Sequence, residues 1–205
     1  MSDVFGVVIA GGRSVRFGSE KALAPFRGRP LLLWAVERLR RSCAAVAVNV
    51  RPGTGAEALA LAQGLPVLHD FSGDPLGPLS GVRAGLHWAQ QQGGRAIAVS
   101  PCDVPQPPAD LFERLIAAAG EGAALVETAE GLQPLCAVWP VTALSMLAEA
   151  LAQGAHPAVW RVLDGLGAVR VRFEDAAAFT NVNTPAELAQ LEARADPRRA
   201  QVSKP

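Results

Sequence analysis

The sequence predicts an α/β fold with a mostly parallel central sheet flanked by helices. Three observations carry this reading. Short apolar runs alternate with amphipathic stretches along the 205 residues, the pattern of strands linked by helical crossovers. The first apolar run, Val4 to Ile9, ends at a basic, glycine-bearing loop from Gly11 to Lys21. Half of the residues are hydrophobic, enough for a sizeable core. The length suits a single domain over residues 1–195, with a polar, disordered tail over 196–205.

In chain order, Val4 to Ile9 is strand one. Leu31 to Arg41 is a helix, because Leu32, Val36 and Leu39 recur at helical spacing behind Pro30. Val46 to Val50 is a strand carrying Asn49 at its end. A short helix over Ala56 to Gln63 and a short strand over Pro66 to Leu68 follow. Residues 70–78 are a loop by composition. Leu79 to Gln92 is a helix broken at Gly93-Gly94, Ile97 to Ser100 a buried strand, and Pro108 to Ala119 a helix. Ala123 to Glu127 and Leu135 to Trp139 form a hairpin-like excursion. Helices over Thr142 to Gln153 and Ala158 to Leu166 precede a strand over Val169 to Phe173. Thr184-Pro185-Ala186-Glu187 is a capping box with proline at the first helical position, so a last helix starts there.

Composition excludes several classes. Nineteen basic and nineteen acidic residues leave no net charge, so no broad nucleic-acid surface is expected. No apolar run is long enough to span a membrane, and the first residues lack a basic signal-peptide start. Cys43, Cys102 and Cys136 are odd in number and far apart, which suggests reduced thiols in a cytoplasmic protein. No Cys-x-x-Cys or Cys/His cluster suggests structural zinc.

The loop after strand one points to chemistry. Adjacent Gly11 and Gly12 let backbone N–H groups approach a ligand, and Arg13, Arg16 and Lys21 add positive charge. That combination suits a polyphosphate. The spacing matches neither the P-loop nor the dinucleotide fingerprint, since Ala22 follows Lys21 and the third glycine is Gly18. Asp103, in Pro101-Cys102-Asp103-Val104-Pro105, lies past the carboxyl end of a central strand, on the sheet edge where ligands bind. Facing a triphosphate, it suits Mg²⁺; otherwise it caps the next helix or holds a turn. Asp70 lies on the same edge, and Asp74 reads as a turn residue. Gly77-Pro78-Leu79-Ser80-Gly81 opens a helix, either to favour an anion or to pack Gly81 closely. Asn49, Asn181 and Asn183 are either caps or pocket residues. His69, His87 and His156 show no ligand spacing, and Cys102 lacks a base partner.

Together these motifs resemble the molybdenum cofactor guanylyltransferases. The resemblance is carried by Ile9 to Lys21, Gly28-Arg29-Pro30-Leu31, Asn49, Asp70, Gly77 to Gly81, Pro101 to Pro105 and Phe179-Thr180-Asn181-Val182-Asn183-Thr184-Pro185. It implies a Rossmann-like three-layer nucleotidyltransferase fold, with a GTP-binding N-terminal half and a pterin-binding C-terminal half. It implies transfer of GMP from GTP to molybdenum-molybdopterin, with Mg²⁺ as cofactor. By carry-over, Ile9, Ala10, Gly11 and Gly12 contact the nucleotide, Lys21 neutralises phosphate, and Arg16 assists. Asn49 and Asp70 contact the nucleoside, Asp103 binds Mg²⁺, and Asn181 and Asn183 form the pterin side. A monomer is expected, and the resemblance points to cofactor-delivery proteins and molybdoenzymes as partners. Phe17 stands where methionine is usual and Glu20 where aspartate is usual. A histidine expected near Gln133-Pro134 and arginines expected around His156-Pro157 are absent. Cytidylyl transfer to the same pterin, nucleotidyl transfer to a sugar phosphate, and a catalytically silent nucleotide-binding module share the glycine loop and stay open.

Overall fold

A computed structural model describes residues 3–12 and 17–195. Arg13 and Arg16, and the tail expected to be disordered, lie outside the described residues. Seven strands form one sheet: β1 (Val4–Ile9), β4 (Val46–Asn49), β5 (Val67–Leu68), β6 (Ala96–Pro101), β7 (Ala124–Thr128), β8 (Gly131–Pro140) and β9 (Val169–Arg172). Their order is β5-β4-β1-β6-β8-β7-β9, and β8 alone in this sheet runs against its neighbours. A two-stranded hairpin, β2 (Pro25–Phe26) with β3 (Arg29–Pro30), stands apart.

Alternation along the strands divides the core between the two faces of the sheet. In β1, Val4 and Val8 pack on one face and Val7 on the other; in β6, Ala96 and Ala98 oppose Ile97 and Val99. Helices α1 (Leu31–Arg40), α2 (Gly55–Ala62) and α4 (Leu111–Ala119) cover the first face. Helices α3 (Pro78–Gln91), α5 (Leu144–Ala152) and α6 (Val159–Gly165) cover the second, around the fully buried Trp139. Gly85 of α3 lies so close to β1 that a Cβ there would stand 2.8 Å from a Val7 methyl.

A third apolar cluster sets the position of the C-terminal segment. Phe17, Phe26 and Leu31 pack with Val182 and Leu188. This ties α7 (Pro185–Ala195) to the β2–β3 hairpin and to the returning end of the glycine loop. The expected capping box is formed: Glu187 N–H donates to Thr184 Oγ1 (3.2 Å), and Thr184 N–H donates to Glu187 Oε2 (3.2 Å).

Two elements differ from the sequence expectation. Helix α4 starts at Leu111 rather than Pro108, and Asp110 takes its N-cap position, so Asp103 does not cap it. The expected hairpin is formed, β7 pairing antiparallel with β8 across a tight turn, but β8 begins at Gly131 rather than Leu135. The lone antiparallel strand therefore comes from a short connection, which cannot accommodate a parallel crossover.

Candidate active site

Strand β1 delivers Ile9 to the carboxyl edge of the sheet, and Ala10 N–H extends the ladder by donating to Asn49 O (2.9 Å). Gly11 and Gly12 follow at that edge. Beyond the loop, Glu20 is anchored on α2: its two carboxylate oxygens accept from Gly55 N–H and Ala56 N–H, both at 2.8 Å. This satisfies two of the donors that every helix start leaves open. Thr54 Oγ1 accepts from Glu57 N–H and completes the cap. The glutamate that stands where aspartate is usual thus pins the loop to α2, immediately before Lys21.

Lys21 opens a 3₁₀ turn, Lys21–Leu23. Its Nζ donates to Asp103 Oδ2 at 2.6 Å and to Asn183 Oδ1 at 3.3 Å. The Lys21 and Asp103 side chains are 15% and 22% exposed, so the pair is sheltered yet reachable from solvent. Two residues, 82 and 162 positions further along the chain, thereby meet Lys21 at one point. Asp103 is held there through its own carbonyl, which accepts from Val182 N–H (2.9 Å). A cavity of about 390 Å³ opens beside this point, lined by Ala10, Gly12, Gly18, Lys21, Arg51 and Thr54, among others.

Asn49 and Asp70 form a second pair at the same sheet edge. Asn49 is buried, and its Nδ2 donates to Asp70 Oδ1 (2.9 Å) and Leu68 O (3.3 Å). The first turn of α3 presses against it: a Cβ on Gly81 would lie 2.4 Å from Asn49 Oδ1. Close packing is therefore what Gly81 supplies. Asp74 is more than a turn residue. Its side chain is 2% exposed and pairs with Arg83 of α3, whose guanidinium lies 4.4 Å from the Phe71 ring centroid.

The remaining candidates fall outside this convergence. Asn181 is exposed and lines a separate groove of about 370 Å³ with Gln106, Glu187 and Arg194. Arg16 lies outside the described residues. His69 pairs with Glu57, His87 stacks edge-on with Phe71, and the His156 ring meets Leu76 O, so all three are engaged structurally. Burial pushes the Cys102 thiol up to about 12, with the Asp103 charge adding to it, so Cys102 is protonated and inert as a nucleophile at neutral pH. Sequence reasoning missed Arg51 and the anchoring role of Glu20. The signal for Arg51 was its place two residues after Asn49, at the same strand end.

A lysine and a carboxylate face each other beside a glycine turn on the carboxyl edge of this sheet, where open α/β folds bind their ligands. Residues 6–171 match the family described as the MobA-like NTP transferase domain. A molybdenum cofactor guanylyltransferase of Cereibacter sphaeroides is 42% identical over 191 residues, covering 92% of this chain and 95% of that one. The structure of molybdopterin-guanine dinucleotide biosynthesis protein A from Archaeoglobus fulgidus superposes with a TM-score of 0.75 at 23% identity, over 93% of this chain and 98% of that one. A protein of Mycobacterium tuberculosis H37Rv, solved in complex with manganese, has a TM-score of 0.67 at 18% identity, over 92% of this chain and 97% of that one. The chain belongs to the MobA-like NTP transferase family, in its molybdenum cofactor guanylyltransferase branch.

Proposed function

We propose that this protein transfers GMP from GTP to the terminal phosphate of molybdenum-molybdopterin, giving the guanine dinucleotide cofactor and pyrophosphate. The observation that carries the reading is the meeting of Lys21, Asp103 and Asn183 at one point. The first two belong to the nucleotide half of the sequence motif and the third to its acceptor half. Nucleotide and acceptor phosphates brought to that point would lie side by side, as a displacement at the α-phosphorus requires. An acceptor phosphate oxygen forms the new bond to that phosphorus, and the bond to pyrophosphate breaks.

Each residue has a role in this reading. Backbone N–H groups after Ile9, through Ala10, Gly11 and Gly12, approach the nucleotide phosphates. Lys21 neutralises phosphate charge and Arg16 adds to it; the phosphate oxygens compete with Asp103 and Asn183 for Nζ. The Asn49–Asp70 pair orients the nucleoside. Asn183, with Asn181 further out, faces the acceptor.

Asp103 fits a divalent cation. It is a single, part-exposed carboxylate, and no group of three metal-ligating side chains occurs among the described residues. That donor set suits Mg²⁺, which takes one or two carboxylates and completes its shell with phosphate oxygens and water. When bound, Mg²⁺ supplies charge neutralisation to the leaving pyrophosphate. The manganese complex of the mycobacterial neighbour supports a divalent metal. No helix among the described residues is long and apolar enough to cross a membrane. We take the protein to work in the cytoplasm as a monomer built on one domain.

Calorimetric titration with GTP, CTP, ATP and UTP, each with Mg²⁺, tests the nucleotide half. The expected result is binding of GTP in clear preference to the others. Preference for CTP or UTP would contradict the guanylyl assignment.

A further inference from the structure

Arg38 lies in the last turn of α1, across the first face of the sheet from the Asp103 loop. Its Nη1 donates to Pro105 O and its Nη2 to Val104 O, both at 2.9 Å. Together with the Val182 bond to Asp103 O, three consecutive carbonyls, 103 to 105, are each gripped from outside the loop. No carboxylate among the described residues pairs with Arg38, and its Nε is buried without a hydrogen-bond partner among them. Burial pulls the guanidinium down to about 10, so it remains charged at neutral pH.

Sheltering a cation without a counter-ion costs stability. A loop that only had to close off β6 would be served by a neutral donor. The forked guanidinium reaches two successive carbonyls at once, which a lysine ammonium cannot do with the same rigidity. Such a grip fixes the backbone immediately after Asp103, and with it the position from which its carboxylate reaches Lys21.

We infer that Arg38 is a positioning residue that holds Asp103 in the orientation needed to receive the metal–nucleotide complex. The inference rests on the reading of Asp103 as the metal carboxylate. The test compares the full chain with Asp103→Asn, Arg38→Lys and Arg38→Met, measuring GTP affinity by calorimetry with and without Mg²⁺. The readout is the gain in affinity that Mg²⁺ confers. In Arg38→Met this gain is expected to fall about tenfold, the scale of losing a group that supports a metal ligand. Arg38→Lys is expected to lose part of it, and Mg²⁺-free GTP binding stays the same in both. Arg38→Lys keeps the charge and most of the volume, so it carries the test should Arg38→Met not fold. A role confined to fold stability would lower the thermal midpoint and leave the gain intact. Full gain in folded Arg38 variants, with the gain lost in Asp103→Asn, overturns the inference. Full gain in Asp103→Asn overturns the metal reading itself.

Discussion

Lys21 and Asp103 are each other's partner in this structure, and each has a separate consequence when removed. If Lys21 neutralises phosphate as proposed, Lys21→Ala deletes a charge-assisted donor, so GTP affinity should fall by about 1.5–3 kcal/mol, or at least tenfold. Calorimetry with Mg²⁺ present reads this directly, and unchanged affinity would move the phosphate site elsewhere. Asp103→Asn keeps the shape and removes the charge. Turnover should drop by about a hundredfold or more, as when a group serving the developing charge is lost. Circular dichroism should still report a folded chain. A variant with undiminished Mg²⁺-dependent turnover would remove Asp103 from the chemistry.

At the scale of elements, the first turn of α3 is built around the Asn49 amide. Gly81→Ala would place a Cβ 2.4 Å from Asn49 Oδ1, so the amide or the helix must shift. The expected cost is about 1–3 kcal/mol in urea unfolding, with weaker GTP binding alongside. Stability and binding both equal to the parent chain would show that Asn49 is not held by that contact. Most of the elements were legible before the structure. Strands β1, β4 and β6 announced themselves as apolar runs, and α7 through its capping box. What was hidden had no local signature. The β2 and β3 strands comprise only two residues each, and Phe26 gains its meaning from Val182 and Leu188, far along the chain. Glu20 looked like a conservative exchange, and its anchoring of α2 depends on a contact 35 positions away. Asn181 and Asn183 read as equivalent in sequence. The fold turns Asn183 to Lys21 and leaves Asn181 in another groove.

Across the whole molecule, burial of thiols couples stability to alkaline pH. Burial pushes Cys102 and Cys136 from an ordinary 9.0 up to about 12. The unfolded chain releases these protons near pH 9, while the folded protein holds them to about pH 12. The stability they contribute is complete below pH 9 and is lost as pH rises towards 12. The expected slope is about 1.4 kcal/mol per pH unit for each thiol. Urea midpoints at pH 8 and pH 10 measure it, and a variant with both cysteines replaced by alanine should show a shallower slope. Equal slopes would mean the thiols ionise freely in the folded state.

In the proposed function, the sheet brings the nucleotide side at β1 and the acceptor side beside α7 to one edge. Joining two phosphates there is the central claim. The most direct test is incubation of the protein with Mg²⁺, molybdenum-molybdopterin and GTP labelled at the α-phosphorus. The account predicts label in a guanine dinucleotide and release of one pyrophosphate per transfer, slowed about a hundredfold or more in Asp103→Asn. Label confined to GTP in the parent chain, or faster transfer from CTP, would contradict it.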